Sequence, residues 1–245
     1  MGLSTISQGR FITIAPDLWI ATQPLKFLGI EVGSRMTVVR LTSGELVLIS
    51  PIELTESDRH HLDQLGTVAH IIAPNRFHYL SLQSTQASYP NATTWGVSGL
   101  SPKCPNVRID QQLDSPGTIE AGLAYQPFRG VCSIMTSGIQ LLQETVFFHR
   151  PSHTLIVTDS AFNFDSSNSL GTRFAAQILG SYNTLKPSRL EKWGSRDKII
   201  IERDIRQILM WDFDRVIPGH GSVVETGGKE QFQAGYEWFL ERSLN

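Results

Sequence analysis

Two apolar runs in this chain stop on side chains that bind metals or move protons. Thr154-Leu155-Ile156-Val157-Thr158 ends at Asp159, and Arg215-Val216-Ile217-Pro218-Gly219 ends at His220-Gly221. Runs this short and this rich in Ile, Leu and Val read as buried strands. Residues at the ends of buried strands converge where loops gather at a sheet rim. A carboxylate and an imidazole meeting there make a donor set that a hard or borderline divalent ion accepts. Such a centre requires the chain to fold so that two distant segments share one pocket.

The rest of the chain supplies a layered α/β frame. Met36–Leu41 and Leu46–Ser50 are β-rich, and Thr42-Ser43-Gly44-Glu45 between them is turn chemistry, so they form a hairpin closed at Pro51. Thr55 caps a helix that runs to Leu65 and stops at Gly66. Val68–Ala73 is the next buried strand, ending at Pro74-Asn75. From Ser98 to Gly117 the composition is that of loops with one or two short strands. Thr145–His149 and Thr154–Thr158 form a second hairpin around Pro151-Ser152. Helical spacing follows in Phe174, Ile178 and Leu179, in Ile201, Ile205, Ile208 and Leu209, and in Phe232, Tyr236, Phe239 and Leu240. Strands alternating with helices indicate a mixed α/β domain, read as one unit over 1–245.

The second hairpin places a further acid. With Pro151-Ser152 at its centre, Glu144 lies opposite Asp159, and two facing carboxylates repel unless a cation or a shared proton lies between them. His78 follows the Val68–Ala73 strand, in a loop where α/β domains build sites. His78, Glu144, Asp159 and His220 are thus the candidate metal ligands, with Asp159 and His220 the candidate catalytic pair. Each also has a plainer reading. Asp159 suits a turn or helix start, His220 a buried imidazole bonded to a carbonyl, and Glu144 an outward or arginine-paired acid. To share an ion, the His78, Asp159 and His220 side chains must come within about 5 Å of one another. His60 and His61 lie on a solvated helix, His70 lies within a strand, and His149 and His153 sit at the hairpin's far end.

Composition narrows the partners. Among 245 residues, 18% are charged and the net charge is -2, so no basic excess exists to neutralise nucleic-acid phosphates. No apolar stretch has membrane-spanning length, and the first ten residues lack a secretory core. Gly2 with Ser7 misses the myristoylation spacing by one residue. Two isolated cysteines, Cys104 and Cys132, fit a reducing cytoplasm.

A strand ending in Asp, a helical stretch, and then Val-Ile-Pro-Gly-His-Gly resembles the second half of a metallo-β-lactamase-like hydrolase. The opening hairpin, helix and strand are similar to its first half, so the resemblance spans about Phe11 to Leu240. Gly33-Ser34-Arg35-Met36, Ala73-Pro74-Asn75, Glu144–His149 and Ser152–Leu155 resemble one branch described as uncharacterised or as metal-dependent hydrolases. The resemblance implies a four-layer αββα sandwich in which Asp159 bridges two metals and His220 completes the second site. It also implies His-x-His-x-Asp-His after Val68–Ala73, where this chain has Asn75, Phe77, Tyr79 and Leu80, with His78 between them. A further histidine belongs near Phe128-Arg129-Gly130-Val131, and none is there.

Two functions follow. One is a hydrolase of an unknown small molecule, with a single Zn, Mn or Fe ion on His78, Asp159 and His220, with or without Glu144. The other is a metal-free binding protein in which the same groups form a hydrogen-bonded cluster. A carboxylate dyad of Glu144 and Asp159 is a third arrangement, which needs one of the two pKa values strongly raised.

Overall fold

The computed structural model describes residues 10–244, and the stretch read above for leader and lipidation features lies in 1–9, outside the described residues. The first half holds strands β1 (Phe11–Ala15), β2 (Leu18–Gln23), β3 (Lys26–Phe27), β4 (Ile30–Glu31), β5 (Ser34–Arg40), β6 (Glu45–Ile49), β7 (Thr67–Ile72), β8 (Thr93–Gly96) and β9 (Gln111–Gln112). The second holds β10 (Gly117–Ile119), β11 (Leu123–Phe128), β12 (Cys132–Met135), β13 (Gly138–Leu141), β14 (Glu144–His149), β15 (Thr154–Ile156) and β16 (Arg215–Ile217). The helices are α1 (Glu56–Leu65), α2 (Leu82–Ser88), α3 (Leu170–Leu179), α4 (Arg189–Gly194), α5 (Lys198–Leu209) and α6 (Gly228–Leu240).

Two sheets form the centre. The seven-stranded sheet runs β1-β2-β5-β6-β7-β8-β9 and the five-stranded sheet runs β10-β11-β14-β15-β16. Side chains alternate across the second sheet, as the pleat requires. Phe147, Ile156 and Ile217 join the core shared with the first sheet, while Phe148, Leu155 and Val216 pack with α5 and α6 residues such as Ile205 and Phe232. Helices α1 and α2 cover the other side of the first sheet through β7. The αββα layering expected from the sequence is the observed architecture.

Local signals explain several elements. Thr55 and Asp58 form a capping box at α1: the Thr55 hydroxyl accepts from Asp58 N–H at 3.2 Å and Asp58 accepts from Thr55 N–H at 2.7 Å. The β5–β6 hairpin pairs Thr37 with Ile49 and Val39 with Val47. The β14–β15 hairpin pairs Phe147 with Ile156 and His149 with Thr154, the register read from its turn. The C-terminal helix buries Phe232, Tyr236, Phe239 and Leu240 as its spacing predicts. Helix α3 forms over the residues whose spacing indicates it, with Phe174 and Ile178 facing outward. Apolar spacing reports that a helix has a stripe, not which way the stripe points.

The topology positions the site. Strands β15 and β16 are parallel neighbours, with Ile156 beside Ile217, so the residues that follow them emerge at the same rim. In the first sheet, β6 and β7 are also parallel, and Ser50 N–H donates to the Ile72 carbonyl just beyond their pairing. The loops after β6, β7, β15 and β16 therefore gather at one place.

Candidate metal centre

The loop after β7 is shaped by Asn75. Its Oδ1 accepts from the N–H groups of Phe77 and His78, each at 2.8 Å, which curls the backbone and turns His78 inward. Its Nδ2 donates to Thr158 Oγ1 at 2.9 Å and to Asp159 Oδ2 at 2.7 Å. Asn75 is fully buried, and both ends of its amide are used. Ser50, at the end of β6, holds the far side of the ring: its Oγ lies 2.6 Å from His78 Nδ1. Ser50 adopts φ +57°, a left-handed conformation costly for a residue with a Cβ.

The loop after β16 is clamped by β5. Arg35 Nη1 donates to the Pro218 carbonyl, and Nη2 donates to the Gly221 carbonyl at 2.5 Å, bracketing His220 from both sides. Among the described residues no carboxylate pairs with this guanidinium, and burial pushes its pKa down to about 10. His220 Nδ1 donates to the Gly33 carbonyl at 2.6 Å, since a carbonyl can only accept. Gly221 is sterically required, and Gly219 is tightly packed. A Cβ at Gly219 would meet Thr158 Cα at 3.0 Å and His78 Cε1 at 3.1 Å, and one at Gly221, where φ is +83°, would strike the Asn163 carbonyl at 2.2 Å.

Three side chains converge between these loops. His78 Nε2 lies 3.2 Å from His220 Nε2. Asp159 straddles the rings, with Oδ2 at 3.4 Å from His78 Nε2 and Oδ1 at 3.2 Å from His220 Nε2. One ligand atom from each residue falls within 4.8 Å of the others, inside the limit set from the sequence. With Nδ1–H turned to Gly33, neutral His220 presents a lone pair at Nε2 toward a carboxylate and a second ring nitrogen. Such a gathering of acceptors calls for a shared proton or a metal ion between its atoms. The spacing suits a metal: donors about 2.0–2.1 Å from a tetrahedral ion stand roughly 3.3 Å apart. The donor set N2O suits Zn, Mn or Fe.

Electrostatics agree. Burial would raise the Asp159 pKa, but the His78 and His220 rings outweigh it and hold the carboxyl well below its usual range. Burial lowers the His78 pKa, and attraction to Asp159 and Glu144 overcomes that and leaves it raised.

Glu144 stands outside the converging ligand atoms. One oxygen accepts from Thr158 N–H at 2.7 Å and Ser160 Oγ at 2.9 Å, and the other accepts from Asp159 N–H at 2.8 Å. It fastens the backbone that carries Asp159. Burial, then the Asp159 charge, raises its pKa against those three hydrogen bonds. Among the described residues no hydrogen bond joins the Glu144 and Asp159 carboxylates; Glu144 accepts instead from Thr158, Asp159 and Ser160.

The remaining histidines lie elsewhere. His70 accepts from Trp95 Nε1 at 3.1 Å, His149 bonds Ser152 at 2.7 Å, and His153 bonds the Asp212 carbonyl at 2.7 Å. Both cysteines are free. Arg35, Gly33, Ser50 and Asn75 are the functional neighbours that sequence reading missed. Asn75 carried a signal as the residue standing where a ligand was expected, and Gly33 and Arg35 carried one only as part of a stretch resembling one branch of the family. A polar cavity of about 480 Å³ adjoins the His220 loop, lined by Gln23, Glu31, Ser34, Asn168, Ser169 and Ser222 among others. No helix among the described residues is long and apolar enough to cross a membrane.

Comparison with solved structures shows the metallo-β-lactamase fold. A metallo-β-lactamase from Pontibacter korlensis aligns at TM-score 0.62 and 13% identity, over 94% of this chain and 98% of that one. The FIM-1 metallo-β-lactamase from Pseudomonas aeruginosa in its mono-zinc form aligns at TM-score 0.58 and 10% identity, over 94% and 92%. A metal-soaked Flv1 flavodiiron core from Synechocystis sp. PCC6803 aligns at TM-score 0.62 and 14% identity, covering 94% of this chain and 60% of that one. No curated protein sequence matches. A family model described as a domain of unknown function, DUF4336, matches residues 16–170, and the chain belongs to that family.

Proposed function

We propose that this protein is a metal-dependent hydrolase with a single-ion centre, in which His78, Asp159 and His220 hold one divalent cation. The observation that carries the reading is the convergence of acceptors: two Nε2 atoms 3.2 Å apart with the Asp159 carboxylate across both. The donors for a second ion are missing from the loop after β7, where Asn75 donates hydrogen bonds instead of binding metal. A bound ion would supply Lewis acidity toward water and toward a carbonyl or phosphoryl oxygen.

The chain's own groups have distinct parts in this reading. Asp159 supplies the negative charge that holds the ion. Gly33 fixes the His220 tautomer, so that Nε2 is free to ligate. Arg35 and Asn75 hold the two histidine loops at their separation. The cavity beside Gly219 and Gly221 receives a small molecule carrying an ester, amide or phosphoester, and its hydroxyl and amide lining binds polar groups.

A second reading rests on the raised His78 pKa. A proton on His78 then takes the cation's place, and the protein binds its ligand without metal. Elemental analysis of protein purified without chelator separates the two. Near-stoichiometric Zn, Mn or Fe that is absent from His220→Ala supports the hydrolase; an empty wild type that also resists reconstitution overturns it.

A further inference from the structure

Arg35 carries a buried charge that no residue of the fold neutralises. The residue is 8% exposed, and a guanidinium stays protonated at neutral pH. Two of its N–H donors go to the Pro218 and Gly221 carbonyls. Its Nε–H meets no acceptor among the described residues. Carbonyls satisfy donors but leave the net charge in place. Among the described residues no carboxylate forms an ion pair with Arg35. A buried cation without a counter-ion is costly, and an anion supplied from outside relieves that cost.

Arg35 forms part of the wall of the polar cavity of about 480 Å³ beside the His220 loop. The rest of that wall suits an anion. Thr22, Ser34, Ser167 and Ser222 bring hydroxyls, and Gln23 and Asn168 bring amides. Ser169, also in the wall, caps α3, so the positive end of that helix's dipole borders the same space. The carboxylate of the lining is Glu31. It is exposed on β4, stands opposite Lys26 in the register, and makes no ion pair with Arg35.

We infer that this cavity binds a small molecule through a carboxylate group, with Arg35 as its counter-ion. A carboxylate brings one negative charge to one cation, and its planar pair of oxygens matches the planar guanidinium. A phosphate monoester brings nearly twice the charge, and the excess would face Glu31. Gly219 and Gly221, on either side of His220, line the same cavity, so a ligand anchored at Arg35 lies along the loop that carries that ring. The site narrows the substrate of the proposed hydrolase to carboxylate-bearing molecules, and it rests on that reading only for the bond that is cut.

Thr22 provides the test. It lies directly opposite Arg35 in the β2–β5 ladder, hence on the same face, and it is exposed. Thr22→Asp sets a carboxylate of the chain's own in place of the ligand's, while Thr22→Asn adds similar bulk without charge. The experiment is an NMR titration of the full chain, as purified and after chelation, with monomethyl succinate and with its uncharged counterpart dimethyl succinate. Wild type should bind the monoanion about tenfold more tightly than the diester in both states, as expected for one charge-assisted hydrogen bond. The amide shifts should centre on Ser34, Ser169 and Ser222. The preference should vanish in Thr22→Asp and survive in Thr22→Asn. Equal affinity for the two esters overturns the inference, as does a Thr22→Asp protein that keeps the full preference. Inorganic phosphate that binds the chelated protein more tightly than monomethyl succinate overturns the choice of a carboxylate. Should Thr22→Asp fail to fold, the wild-type amide shifts decide, and a centre away from those three residues overturns the inference. A protein that holds no metal but keeps the preference loses the hydrolase reading and leaves the carboxylate site standing.

Discussion

The two loops that supply the histidines are built to opposite rules. The loop after β16 keeps a histidine between glycines, and its hold is external: Arg35 and Gly33, both from the first half of the chain, grip it. The loop after β7 organises itself. Asn75 curls its own backbone and then reaches across to Asp159. The difference shows that two imidazoles can be brought to one point by an external grip in one loop and an internal curl in the other. Each loop presents one imidazole to the centre, and the loop after β7 adds an amide donor that steadies the shared carboxylate.

The sharpest way to break this comparison is to remove the group both loops serve. Asp159→Asn should cut divalent-ion affinity more than a hundredfold, beyond the roughly 10–100-fold typical of residues that only support ligands. Titration calorimetry with Zn²⁺ or Mn²⁺ measures this, and an unchanged affinity would mean that the carboxylate does not bind the ion.

Changing the two supports separately sharpens it. Asn75→Ala strips acceptors from two loop amides and should cost about 1–3 kcal/mol in chemical denaturation. It should also weaken ion binding about tenfold by freeing His78. Arg35→Lys keeps the charge but cannot span both carbonyls, and should weaken the ion by a similar factor. Loss of stability with full ion affinity in both variants would show that the supports hold the fold and not the site.

The smallest effect is one of pH. Without metal, the raised His78 pKa contributes stability below the ordinary imidazole value near 6.5 and loses it as pH rises through the folded value. The raised Glu144 pKa acts with the same sign, being lost as pH rises through its own folded value. Asp159, held low, stays ionised throughout this range. Ligation needs neutral imidazole and so strengthens as pH rises. The melting temperatures of zinc-loaded and chelator-treated protein should diverge by a few degrees more at pH 8 than at pH 6, as thermal melts would record. A gap that narrows instead favours the protonated cluster.

The parts of this site that could be read from sequence were local. Asp159 and His220 announced themselves as the ends of apolar runs. Glu144 could be placed opposite Asp159 because a tight hairpin sets its register from the turn, and the Phe147–Ile156 pairing follows that count. What Glu144 does there was not legible: whether a carboxylate meets a cation or backbone amides depends on the local fold of the next strand's end. Arg35 and Gly33 were invisible as site residues because they act across 183 and 187 positions, through backbone carbonyls that leave no mark in sequence. Helix α3 was legible from its spacing, but the outward direction of its stripe was not. Periodicity encodes amphipathicity, and only the packed neighbours decide which side they cover.

His78 and His220 stand 142 positions apart along the chain, yet their ring nitrogens touch. During synthesis, then, nothing resembling this constellation exists until the final parallel strand has left the ribosome and docked. Any ion recruited there would join a nearly finished molecule, acting as a late rivet across the two sheets and not as a seed for their assembly.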